Sequence, residues 1–184
     1  MKKIIVFASV VLLMAIAAAA QTTTQKFVTG WDNFSEPLNF TKSAVRWSVS
    51  TTPINKLTVT YSLVGAKPSK LYQVALNFFC STFPATFGQF PNDLGAGACF
   101  PLTRQGVTKD SAEVEVGVVL TDIHGNGSLT VNISPVPADT YELEFFVRDG
   151  AGCDISGGAG NGSDCAVDFQ SPGKFGTATT IMVP

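Results

Sequence analysis

From Val45 to Val147 the chain alternates apolar and polar residues with a period of two. The runs are Val45, Trp47 and Val49, then Leu57, Val59, Tyr61 and Leu63, then Tyr72, Val74, Leu76 and Phe78. They continue with Val114, Val116, Val118 and Leu120, with Leu129, Val131 and Ile133, and with Tyr141, Leu143, Phe145 and Val147. Residues two apart share a face of a strand, so each run predicts a strand with one buried face. Nowhere does a sustained helical period lie between capping residues. Val167 with Phe169 and the Thr-rich stretch from Phe175 to Val183 add two more strands. About eight short strands separated by turn signals predict an all-β fold, a single antiparallel β-sandwich.

The clearest turn is Thr121 to Ser128, a polar, glycine-punctuated stretch between two apolar runs. Asn126-Gly127 supplies the positive backbone torsions of a tight turn, so the sequence predicts a β-hairpin whose register these residues set. Ser81 to Thr108 is the longest irregular segment, and Gln21 to Gln25 is a polar leader expected to fray.

Residues 1–20 have the form of a secretory signal, with Lys2 and Lys3, an apolar middle from Ile4 to Ile16 and small residues from Ala17 to Ala20. Residues 21–184 are then one mature domain, with no stable membrane insertion expected. The full sequence carries a net charge of −2, and loss of two lysines makes the mature chain more acidic. Such a chain has no basic field for nucleic acid. Charged residues make up only 14% of the sequence, against about 25% in a typical domain. The surface must therefore be rich in Ser, Thr, Asn and Gly.

An exported compartment is oxidising, so the even set Cys80, Cys99, Cys153 and Cys165 predicts two disulfides. Three connectivities are open. Cys80 with Cys99 and Cys153 with Cys165 is the favoured one, because each bridge would staple a loop rich in Gly or Pro.

The order of the Asp122-Ile123-His124-Gly125-Asn126-Gly127 turn, strand, proline-broken link and Thr140-Tyr141 strand start resembles exported bacterial immunoglobulin-like or fibronectin-like modules. The resemblance covers Leu57 to Pro184. The chain departs from antibody domains in lacking their inter-sheet Cys, Trp, Cys spacing. The resemblance implies a binding or structural module and carries over no catalytic residue.

Residue chemistry leads the same way. His124 is the only histidine, and Asp122 and Ser128 lie close in sequence, yet no Gly-x-Ser-x-Gly elbow accompanies them. Glu113 with Glu115, and Glu142 with Glu144, stand two apart on strands, about 7 Å between neighbours and within glycosidase range. Their alternation with apolar residues predicts instead the solvated outer face of amphipathic strands. Asp149, Asp154, Asn161, Asp164 and Asp168 supply oxygen atoms in and beside a Gly-rich loop and are weak calcium candidates. No other cofactor is expected. Phe83, Phe87, Phe90 and Phe100 make a possible binding loop, and Trp31 and Trp47 are further aromatic candidates, Trp47 by its alternation being core. The expected function is non-enzymatic: a secreted or periplasmic module binding a protein or glycan at the cell surface. A self-assembling fibre or coat subunit is the alternative, with the leader and the last strand pairing with a neighbour's sheet edge. A small exported hydrolase is a third reading.

Overall fold

The computed structural model describes residues 22–30, 36–79, 100–104, 106–136, 138–149, 167–172 and 179–184. The signal region and all four cysteines lie outside them, and with the cysteines the expected disulfides. The described chain is all-β, without a helix, and forms two antiparallel sheets. Its strands are β1 (Thr22–Lys26), β2 (Val28–Thr29), β3 (Ala44–Ser50), β4 (Lys56–Leu63), β5 (Leu71–Phe79), β6 (Phe100–Arg104), β7 (Val107–Leu120), β8 (Gly127–Ile133), β9 (Asp139–Asp149), β10 (Val167–Gln170) and β11 (Thr179–Val183). The first sheet, A, has the order β1-β3-β4-β8. The second, B, runs β2-β10-β9-β5-β7-β6, with β11 also on β9.

Among the described residues eleven strand segments stand where alternation predicts about eight along the chain, for identifiable reasons. From Thr22 onward the polar leader does not fray, because β1 pairs with β3 over its whole length. An edge strand needs only backbone partners, and threonine suits extended backbone. Phe27, buried between β1 and β2, then carries the chain from sheet A to sheet B. β10 and β11 pair with successive parts of β9, so one edge is shared by two segments. Part of the expected irregular segment is a hairpin, since Arg104 pairs with Val107 and Gly106 before it has φ 78°.

The core lies between the sheets. Val45, Trp47, Leu57, Val59, Tyr61, Leu63, Val131 and Ile133 from sheet A meet Tyr72, Val74, Leu76, Val116, Val119, Tyr141, Leu143, Phe145 and Val147 from sheet B. Trp47 stacks on Phe145 at 5.0 Å, so it is a core ring as its alternation predicts. The Tyr61 hydroxyl crosses from sheet A and donates to the Ala75 carbonyl of sheet B at 2.8 Å. Burial pushes this phenol well above the ordinary tyrosine range.

Two sequence expectations are overturned in β7. The run Val114 to Leu120 does not keep one face, because a bulge breaks its pairing with β5: Val74 faces Gly117 and Ala75 faces Glu115, skipping Val116. Beyond the bulge the parity is reversed, so Val119 is buried while Leu120 is 63% exposed. The turn that follows is also no hairpin. β7 belongs to sheet B and β8 to sheet A, so residues 121–126 cross between sheets. The positive φ falls at Gly125 (75°), where a Cβ would stand 1.9 Å from the Ala66 carbonyl oxygen. Gly127 is needed for a different reason, because a Cβ there would lie 2.6 Å from Val119 Cγ1 at the close crossing.

Candidate functional site

The crossover at residues 121–126 and the β4–β5 connection, residues 64–70, lie at the same end of the sandwich and are stitched together. Ala66 N donates to Gly125 O at 2.9 Å, Ser69 N to Asp122 O at 3.0 Å and Thr121 N to Lys70 O at 3.0 Å. The buried Thr121 hydroxyl donates to Lys67 O at 2.7 Å and accepts from Lys70 N at 2.9 Å. Gly65 N reaches Asn126 Oδ1 at 3.3 Å. These bonds satisfy the polar backbone of both loops, so the end is a platform with a set shape.

Within the crossover, Asp122 Oδ1 accepts from His124 N and Asn126 N, each at 2.8 Å. The bonds from Asn126 and His124 hold this exposed carboxylate below its ordinary range. Asp122 thus shapes the turn through its side chain. Ser128 donates to the Tyr61 carbonyl at 2.9 Å, and His124 projects into solvent. The side chains of Asp122 and Ser128 are therefore engaged with backbone groups, and that of His124 is exposed.

Beside the platform Lys70 joins two carboxylates. Its ammonium bonds Glu36 at 2.6 Å and also contacts Asp149 at the end of β9. Glu36 in turn accepts from the Tyr72 hydroxyl at 3.2 Å, and Lys67 lies 4.0 Å away. Burial alone would lower the Lys70 pKa, but the bonds to Asp149 and Glu36 and their charges outweigh it and raise it. Burial, with the charge of Glu36 beside it, pushes the Tyr72 phenol up.

The outer face of sheet B corrects another expectation. Glu144 does not project into solvent as the outer face of an amphipathic strand should; it is buried, and Asn77 Nδ2 donates to it at 3.4 Å. Gln73, Asn77, Arg148 and Gln170 are buried as well, around Ala75, Phe146 and Val167. The register explains the grouping, since Gln73 faces Arg148, Ala75 faces Phe146 and Asn77 faces Glu144 across β5 and β9. Phe146 on that face was the sequence signal that it is covered. Glu142 is half-buried, and the side chains of Glu113 and Glu115 lie outside the description.

Of the calcium candidates, Asp149 engages Lys70 and Asp168 is fully buried, while Asp154, Asn161 and Asp164 lie outside the described residues. Among the described residues no group of three or more His, Cys, Asp or Glu is placed to hold a metal. Phe83, Phe87, Phe90 and Trp31 also lie outside them, as does the side chain of Phe100.

What sequence reasoning missed is apolar. Leu120 is 63% exposed and its cross-strand partner Leu71 is 43% exposed, while Ile123 in the crossover is 74% exposed. All three lie at the platform end, with Lys67, Asp122 and His124 as exposed polar neighbours. Gly117 could have betrayed them, since a glycine inside a strand pattern signals a bulge and hence a change of face. No protein-family model, curated protein or solved structure matches the chain.

Proposed function

We propose that this chain is an exported, immunoglobulin-like β-sandwich that recognises a protein partner, without catalysis, through the end bearing Leu71, Leu120 and Ile123. The carrying observation is the exposure of these three aliphatic side chains, two at paired strand ends and one in the crossover, beside loops that hydrogen bonds already hold in shape. Ordered loops lose little entropy on binding, and an apolar centre with a polar rim is the anatomy of a protein interface. A protein is favoured over a glycan because the three most exposed apolar groups at this end are aliphatic, whereas sugar rings stack on aromatic faces, and Trp47 is in the core. The immunoglobulin-like reading is supported by the N-terminal strand split between sheets and by the crossings β4 to β5, β7 to β8 and β8 to β9. Export rests on residues 1–20 of the sequence.

A photo-crosslinking residue placed at Ile123, in the organism that makes the protein, should give a discrete protein adduct that Leu120→Lys abolishes. The same residue at Ile54, exposed at the opposite end, should give none. Equal adducts from both ends, or glycan binding that survives Leu120→Lys, would overturn the proposal.

A further inference from the structure

Sheet A ends at β8, and among the described residues no strand lies beyond it. A sheet edge exposes a row of backbone donors and acceptors, and natural proteins guard such rows with charge, proline or a bulge. The other edges among the described residues are short or carry guards. β2 has only two residues, β6 holds Pro101 and Arg104 in sequence, the part of β7 beyond β6 has the bulge at Val116-Gly117 with Glu113 and Glu115 in its sequence, and β1 ends in Lys26. At β11 the Thr179 hydroxyl is bonded to Gln25 of the crossing β1 at 3.0 Å, and Pro184 follows. The β8 sequence Gly-Ser-Leu-Thr-Val-Asn-Ile has no charge, no proline and no bulge. Beside it opens a crevice of about 420 Å³ between the sheets, lined by Val116, Val118, Leu129 and Val131 among others.

We propose that β8 is a self-association edge, on which a second copy of this chain pairs its own β8 antiparallel about a two-fold axis at Thr130. The pairing that overlaps all seven residues sets Thr130 opposite Thr130 of the second copy, Leu129 opposite Val131, and Ser128 opposite Asn132. Apolar then meets apolar over the crevice and hydroxyl or amide meets its like on the outer face, with no charges in conflict. The same side chains already pair this way within one chain. Thr130 bonds Thr60 at 2.8 Å, and Asn132 accepts from Thr58 at 2.8 Å, so a second β8 would repeat an existing ladder. β11 lacks this property, because its reversal about Ile181 sets Thr180 against Met182. The inference is independent of the loop-end patch, which lies on sheet B and the crossover.

Seven edge residues make a small interface, so the dimer is weak and forms at concentrations of about 0.1 mM and above. Sedimentation equilibrium on the mature chain should show a monomer–dimer equilibrium. Thr130→Lys sets two ammonium groups against each other at the axis and should weaken dimerisation by at least about tenfold. Ser48→Lys, on the same face but two strands in, should leave it unchanged. Mixing Thr130→Lys with Thr130→Glu should restore a heterodimer, which shows that both variants fold. A wild type that stays monomeric at 10 times that concentration (about 1 mM), a dimer indifferent to Thr130→Lys, or a mixture that fails to associate would each overturn the proposal. Crosslinking at Ile123 reads the other surface, so either proposal can fail alone.

Discussion

The two sheets carry the same alternating pattern and treat their second face in opposite ways. On sheet A the outward residues Thr58, Thr60 and Ser62 meet Asn132, Thr130 and Ser128 in a ladder of hydroxyl and amide groups lying at the surface. On sheet B the corresponding row of Gln73, Asn77, Glu144 and Arg148 is buried, although these residues are more polar. Polarity of the second face therefore says that hydrogen-bonding groups are present, and nothing about whether water or protein supplies their partners. Burial makes the difference energetic, because a group enclosed by protein has no solvent to fall back on.

The largest expected effect tests that difference directly. Arg148 is 1% exposed, and its guanidinium lies 5.2 Å from the Phe146 ring centre. Arg148→Ala removes a long packed stem and a charged group together and should destabilise by about 3 kcal/mol or more in chemical denaturation. A loss below about 1 kcal/mol would mean that the face is wet in solution and that the two sheets are alike after all.

Tyr61→Phe is next and probes the join between the sheets. It leaves the Ala75 carbonyl without its donor while keeping the ring packed against Phe145, and should cost about 1–2 kcal/mol at neutral pH. Its folded pKa is raised, so the phenol contributes stability that is complete below the unfolded value of about 10 and is lost as pH rises through the folded one. Tyr61→Phe should therefore lose less stability than wild type between pH 10 and 12, the reverse of its effect at neutral pH.

Lys70 gives a smaller effect at the sheet-B end. Its pKa is also raised, so its contribution is full below the unfolded lysine value of about 10.4 and disappears as pH climbs through the folded one. Lys70→Met should flatten the alkaline fall in melting temperature. An unchanged slope would show that the contacts with Glu36 and Asp149 are not kept in solution.

Much of this architecture was legible because alternation is a local property. The runs through Trp47, Tyr61, Val74, Val131 and Phe145 lie on the strands they predict. The candidate site was less legible, because its parts depend on which strands become neighbours. The bulge that exposes Leu120 is set by pairing with β5, and the crossover has the sequence of a hairpin because Asn-Gly suits both settings. The buried face of sheet B was hidden by composition, since Gln73, Asn77, Glu144 and Arg148 look like a solvated row. Only Phe146 among them pointed the other way.

The smallest effect belongs to the face that sequence described correctly. Thr60 and Thr130 share a 2.8 Å hydrogen bond on the exposed side of sheet A, where water competes for both hydroxyls. Thr60→Val keeps the branched shape that suits a strand and replaces the hydroxyl with a methyl group. Alone or combined with Thr130→Val it should shift stability by no more than about 0.5 kcal/mol, with a coupling between the two positions of similar size. A double-mutant cycle by urea denaturation measures both quantities. If the coupling rose to the 1–2 kcal/mol expected of Tyr61 and Ala75, the ladder would have to be shielded from water in solution. A dependence of that coupling on protein concentration would then identify the shield as a second copy on β8, since Thr130 is the residue at the proposed two-fold axis.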